Sequence, residues 1–315
     1  MRQQTEDGYA ISVRELVVRF GRVVALDGVD LQVPKGAVYG IVGTNGAGKS
    51  TLLDVLSGLV RPSSGEVRVL GMDPISDAPR IRRRVGVVPQ EVSLEERLTG
   101  RENLEYFGRL LDVPEEQLVP RVDELISFMG LEERQNDRVE TYSVGMKRKI
   151  HFACSMVHSP ELILADEPMV GFDPRTRREV AEMILELNRT RGVTVVLTTH
   201  DLTDARDICS EVSVLHRGSV VARGTWFELS SRIPAKLLVK GMVTGRRADL
   251  VSAAKPYGVS EAVGGFEIQV PSVSEAFALV KRIEGLGITP GSIAFEIPPE
   301  EVFETLTRDE AGDGS

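Results

Sequence analysis

Gly43-Thr44-Asn45-Gly46-Ala47-Gly48-Lys49-Ser50-Thr51 is the stretch that decides the fold. Gly43, Gly48, Lys49 and Ser50 fit G-x-x-x-x-G-K-[ST], the phosphate-binding loop. Glycines let successive backbone N–H groups turn inward into a concave nest that holds an anion. The helix that follows adds its positive N-terminal end. In such a loop residues 43–51 cradle the phosphates, Lys49 reaches the β and γ groups, and Ser50 offers its hydroxyl to Mg²⁺. The flanks agree: Ala37–Val42 is a short apolar run that reads as a buried strand, and Lys49–Leu56 reads as the start of a helix. At average composition the four fixed positions match by accident in roughly one chain in a hundred of this length.

Working outward, the 315 residues suffice for a large α/β domain and a small second one. The formal net charge of −9 argues against broad nucleic-acid binding. The basic clusters Arg80–Arg84 and Lys147–Lys149 read as solvated helix faces. Cys154 and Cys209 are too few for a disulfide framework and suit a reducing compartment. Cys154 falls with Ile150, Ala153 and Val157 at helical spacing and is expected in the core. Residues 1–9 are polar, carry no secretory pattern and are expected to be flexible. No apolar run approaches the ~20 residues that span a bilayer. If the protein works at a membrane, a separate polypeptide must supply the membrane part.

In chain order, Ile11–Phe20 and Val23–Val33 read as strands about a Gly21 turn, with a second turn signal at Asp27-Gly28. After the phosphate loop come a strand over Gly65–Leu70, a short helix over Ala78–Arg84, and a buried strand Val85–Val88 ending in Pro89-Gln90. Residues 93–158 are mostly helical: Asn103–Leu111, Val122–Met129 and Gly145–Val157 carry apolar faces. This block is a helical subdomain inserted into an α/β core. The core resumes with strand Leu162–Ala165, helix Pro174–Asn188, strand Val193–Thr198, helix Asp201–Ile208, and a hairpin about Arg217-Gly218. Beyond a short Pro-containing link, residues 235–308 read strand, helix (Ala248–Lys255), strand, helix, strand, a small α/β sandwich; 309–315 is a frayed tail.

A phosphate loop alone does not choose among kinases, GTPases and motors; the downstream residues do. Leu162-Ile163-Leu164-Ala165-Asp166-Glu167-Pro168 resembles a Walker B strand with an adjacent glutamate. Thr141-Tyr142-Ser143-Val144-Gly145-Met146, just upstream, resembles the signature motif of ABC-type ATPases. Gln90 matches that family's Q-loop, Gly171-Phe172-Asp173-Pro174 its D-loop, His200 its switch histidine, and Phe20 the aromatic that stacks on adenine. The set occurs in the family's order over residues 10–232. Leu98–Leu104, Lys147–Lys149, and the C-terminal domain ending Pro299-Glu300-Glu301-Val302-Phe303 are similar to the ATPase subunits of daunorubicin-resistance-type exporters.

The resemblance implies a P-loop NTPase core of ABC type, with an N-terminal antiparallel β part, and a set of roles. Asp166 holds Mg²⁺ through a water, with Ser50 and Gln90 beside it. Glu167 is the general base, helped by Gln90, Lys49 and His200. Ser143 and Gly145 open a helix whose positive end meets the γ-phosphate held by a second copy, and Asp173 lies at the same junction. Each has a plainer reading: Ser143 and Asp173 as N-caps, Gln90 and His200 as loop residues, Phe20 as core. Val144 departs from the usual glycine, and a β-branched residue resists positive φ; Phe172 replaces a leucine. With Glu167 and His200 intact, ATP hydrolysis is expected, slower than usual. The expected protein is an ATP-hydrolysing subunit at the cytoplasmic face of the membrane. It dimerises with a second copy of itself through ATP and drives a separate permease that exports a drug-like or lipid-like compound, with no nucleic-acid partner. The rival readings are a soluble ABC-type ATPase and an importer subunit.

Overall fold

The structure, a computed structural model, describes residues 8–230, 235–240, 251–252, 254–262, 265–271, 273–285, 292–296 and 299–308. The chain divides into two compact units, Met1–Arg223 and Gly224–Ser315.

The first unit is built on a six-stranded sheet in the order β5 (Val85–Val88), β6 (Leu162–Ala165), β7 (Thr194–Thr199), β3 (Val38–Val42), β8 (Glu211–His216), β9 (Ser219–Gly224). Its strands from β5 to β8 run parallel. A parallel sheet is covered on both faces, so its strands read as continuous apolar runs. Alternate side chains then serve opposite layers. Leu162 and Leu164 join the core under a second, antiparallel sheet, while Ile163 and Ala165 join the core under the helices.

That second sheet has the order β2 (Val23–Pro34), β1 (Tyr9–Phe20), β4 (Ser64–Val69). Tyr9 already opens β1, so only residues 1–7 of the expected flexible N-terminus lie outside the described residues. Asp27-Gly28 is not a turn: β2 runs through it, and Gly28 at φ 67 accompanies a register shift between Leu16–Val29 and Val18–Leu26.

Between β5 and β6 stand α3 (Gly100–Leu110), α4 (Glu115–Phe128) and α5 (Val144–Cys154), the inserted helical block. A capping box starts α3: Thr99 Oγ1 accepts from Glu102 N at 3.1 Å and Glu102 Oε2 from Thr99 N at 2.8 Å. Fully buried Asn103 ties the preceding loop through Glu95 N, Glu95 O and Thr99 O. The helix expected over Val122–Met129 begins earlier, at Glu115, and passes through Pro120. The ring removes one hydrogen bond, but Leu118 and Val122 on either side are fully buried, which holds the helix. Cys154 is core, as its spacing suggests. The remaining elements are α1 (Lys49–Leu56), α2 (Ala78–Arg82), α6 (Pro174–Arg191) and α7 (Leu202–Ile208).

The second unit holds α8 (Trp226–Ser230) and a four-stranded antiparallel sheet in the order β11 (Gly258–Ala262), β12 (Gly265–Val270), β10 (Ala235–Lys240), β13 (Ser292–Glu296). With it come α9 (Val273–Gly285) and α10 (Pro299–Arg308), and Ile268, Leu279 and Ile283 form its core. The sequence reading missed β11 and α10. Of the helix expected over 248–255, residues 251–252 are helical and 254–255 lie in a turn; its other residues and the tail 309–315 lie outside the described residues.

Candidate functional site

In open α/β sheets ligands bind outside the carboxyl ends of the strands. The carboxyl ends of β3, β6 and β7 bring three segments side by side here: the glycine loop, Asp166-Glu167, and Thr199-His200. An open cavity of about 690 Å³ lies over them, lined by Asn45, Gly46, Gly48, Lys49, Ser50, Thr51, Gln90, Glu167 and His200, with Val23–Ala25 and Arg217 at its rim.

The loop needs its glycines. Gly46 has φ 80 and Gly48 φ 106, which L side chains rarely adopt. A Cβ on Gly48 would stand 2.7 Å from the Ala25 carbonyl oxygen, and one on Gly43 2.4 Å from that of Leu215. Ala47 is buried beneath the loop and its carbonyl accepts from Gly218 N at 3.0 Å. Arg217 and Gly218, both at positive φ, form the tight turn that makes this contact possible. Thr44, Asn45 and Ser50 are exposed above it.

Lys49 folds back over the loop and is 5% exposed. Its three donors meet Gly43 O at 2.9 Å, Thr44 O at 3.2 Å and Glu167 Oε1 at 3.2 Å. The other Glu167 oxygen, Oε2, lies 3.0 Å from His200 Nδ1. Glu167 itself is buried and stands at φ 44, a left-handed backbone that costs about 1–2 kcal/mol for a side-chain-bearing residue. Strain of this kind persists where the surroundings over-determine it. Fully buried Thr198 does so: its Oγ1 accepts from Glu167 N at 2.9 Å and donates to Asp166 Oδ1 at 2.5 Å. Thr198 was not singled out in the sequence.

The other residues named from the sequence stand apart. Phe20 is 52% exposed at the end of β1, which removes its core reading; Val23 and Val24 line the cavity instead. Ser143 caps α5, accepting from Met146 N at 3.3 Å, and Asp173 caps α6, accepting from Arg175 N and Thr176 N. The Thr176 hydroxyl at 2.7 Å, followed by these amides, holds the Asp173 carboxyl below its usual range. Ser143, Gly145 and Asp173 do not line the cavity. Val144 is the first residue of α5, 69% exposed and absent from the positive-φ positions, so no backbone strain arises at this departure from glycine. The basic run Lys147–Lys149 is not one solvated face: Arg148 is 4% exposed. Arg148, His151, Phe152 and Ser155 share one helical stripe and all are buried.

A strand–glycine loop–helix with its lysine on a buried glutamate, on a parallel sheet interrupted by a helical block, defines an ABC-type P-loop ATPase. The ABC transporter family profile matches residues 26–170. The chain is 37% identical over 306 residues, 96% of each chain, to the daunorubicin resistance ATP-binding protein DrrA3 of Streptomyces coeruleorubidus. It is 35% identical to the linearmycin resistance ATP-binding protein LnrL of Bacillus subtilis, with 72% of each chain covered. Among solved structures it is similar to cbiO1 from Clostridium perfringens, part of the ABC transporter complex cbiONQ (TM-score 0.67, 27% identity, 71% of this chain and 91% of that one). It is also similar to the ATP-binding cassette MJ0796, solved as a dimer with ADP and Pi (TM-score 0.60, 27% identity, 68% and 98%). The chain belongs to the ABC transporter family as an ATP-binding subunit, and it is an ATPase.

Proposed function

We propose that this chain powers the export of a drug-like or lipid-like compound through a separate permease, hydrolysing Mg-ATP at the cytoplasmic face of the membrane. The observation that carries the reading is the buried Lys49–Glu167 pair facing the loop cavity, with His200 on the free Glu167 oxygen. An incoming γ-phosphate replaces Glu167 as the partner of Lys49 and frees that carboxylate to take a proton from water. His200 then holds the phosphate side. Catalysis is positioning and charge stabilisation more than covalent chemistry.

Mg²⁺ fits the donor set. Ser50, Gln90 and Asp166 are oxygen ligands, and magnesium is held by one or two carboxylates plus phosphates and water. Among the described residues no cluster of three metal-ligating side chains gathers, which suits a cation carried mainly by its nucleotide. Burial, and then the charge of Asp166, raise the Asp54 carboxyl pKa. Bound there, Mg²⁺ supplies charge neutralisation to the β and γ phosphates.

Phe20 is the stacking face for the base. Ser143, Gly145 and Asp173 stand on exposed or half-exposed helix starts outside their own cavity. That supports their acting on the nucleotide of a second copy, with the N-terminus of α5 turned to its γ-phosphate. Among the described residues no helix is long and apolar enough to cross a membrane. The export assignment is carried over from relatives named for daunorubicin and linearmycin resistance.

Two variants test the site. Lys49→Ala abolishes phosphate release; wild-type turnover refutes the loop assignment. Glu167→Gln with excess ATP elutes from a sizing column as a dimer that the wild type does not accumulate. A strictly monomeric Glu167→Gln protein refutes the two-copy site. Co-purification of a multi-spanning membrane protein separates the exporter reading from an ATPase uncoupled to transport.

A further inference from the structure

Among the described residues no carboxylate pairs with the buried Arg148. Lys147 and Lys149, its neighbours, pair with Glu96 and Glu179. Arg148 points the other way and spends its donors on backbone carbonyls: Gln90 O at 2.8 Å and Pro89 O at 3.4 Å from Nη1, Glu167 O at 3.3 Å from Nη2, and Pro168 O at 3.3 Å from Nε. Its guanidinium carbon lies 5.7 Å from the centroid of the Phe172 ring. Burial alone holds its pKa below the usual arginine value, so the cation is kept there at a cost.

The carbonyls come from two places: the turn after β5 that carries Gln90, and the turn after β6 that carries Glu167. Only a planar fork with five N–H donors reaches both; an ammonium is a single point. At Glu167 the fork completes a clamp. Thr198 holds the amide of this left-handed residue and Arg148 holds its carbonyl. The fork rides on α5, which begins at the Ser143-Val144-Gly145 segment.

We propose that Arg148 is a positioning residue for ATP hydrolysis: its guanidinium sets Gln90 and Glu167 against each other across the cavity and makes their placement follow α5. The proposal rests on the roles given above to Gln90 and Glu167. The hydrogen bonds of Arg148 go to Pro89, Gln90, Glu167 and Pro168 and not to the glycine loop, so its loss falls on turnover rather than on nucleotide affinity.

The test uses the full chain with Mg-ATP, phosphate release and a fluorescent ATP analogue. Arg148→Lys lowers kcat by about tenfold to a hundredfold, the scale of a misplacement near 1 Å, while the analogue's Kd stays within about threefold. In a Gln90→Ala background the same substitution costs less than about a third of that factor, because the amide being positioned is already gone. Arg148→Met, which keeps the apolar stem, behaves like Arg148→Lys. Wild-type-like kcat in folded Arg148→Lys overturns the proposal, and so do losses that multiply in the double variant. Failure of both Arg148→Lys and Arg148→Met to fold assigns the residue to stability alone and also overturns it. If Gln90→Ala and Glu167→Gln themselves turn over normally, the site reading falls first; if they are impaired and Arg148→Lys is not, this proposal falls alone.

Discussion

Replacing Thr198 by valine removes one oxygen and keeps the shape. That oxygen accepts from Glu167 N at 2.9 Å and donates to Asp166 Oδ1 at 2.5 Å, and the residue is fully buried. Leaving a buried N–H unpaired costs about 1–3 kcal/mol, and losing a hydrogen bond to a charged acceptor about 1.5–3 kcal/mol. Valine's extra methyl offsets at most about 0.8 kcal/mol. The expected destabilisation is therefore about 2–5 kcal/mol, or about 5–15 °C in Tm for a unit of this size. Turnover falls as well, because nothing then holds the amide of a residue at φ 44; relaxation near 1 Å costs about a hundredfold. Thr198→Ser keeps the hydroxyl and restores most of both losses. The assays are thermal unfolding of the nucleotide-free protein and phosphate release at saturating ATP. A valine variant that melts within about 1 °C of the wild type and hydrolyses ATP at its rate refutes the claim that this hydroxyl anchors the acidic pair.

Two further outcomes follow from the geometry. Gly48→Ala places a methyl 2.7 Å from the Ala25 carbonyl oxygen and 2.8 Å from Leu26 Cδ2 at φ 106, so the loop must shift; calorimetry should show ATP affinity lower by at least about tenfold, and an unchanged Kd contradicts the loop geometry. Burial, with a smaller part from Arg148, lowers the His151 pKa from 6.5 to about 4. The unfolded chain takes up this proton below pH 6.5 and the folded one does not until about 4, so stability is full above 6.5 and falls across that window by up to about 3 kcal/mol. His151→Leu removes this part of the acid sensitivity. Urea unfolding curves of the two proteins that weaken in parallel between pH 7 and 4.5 would count against the assignment.

Much of this fold was legible because local chemistry and global packing agree. The glycine loop, the apolar runs of β3, β6 and β7, and the caps at Ser143 and Asp173 each declare themselves within a few residues. What stayed hidden was of two kinds. Short elements with weak patterns gave no period to read: β11 is Gly-Val-Ser-Glu-Ala, and α10 follows Pro299 as one short amphipathic helix. Phase was the second kind. Three consecutive basic residues look alike on paper, and only their position on α5 sends Arg148 inward and its neighbours outward.

Thr198 was hidden for a different reason, and it bears on how such sites are built. Nothing around Thr198 in the sequence mentions Asp166 or Glu167. They meet because β6 and β7 pair in parallel with Ala165 opposite Leu197, which carries Asp166 and Glu167 to the level of Thr198 at the sheet's carboxyl edge. Slipping that register by one residue would turn the hydroxyl to the opposite face. The apolar alternation below forbids the slip, since Leu164 and Val196 serve one core and Ile163, Val195 and Leu197 the other. The buried strands thus fix the hydroxyl against the acidic pair as firmly as they fix the core. The edge that carries the acidic pair therefore inherits its precision from hydrophobic residues that do not line the cavity.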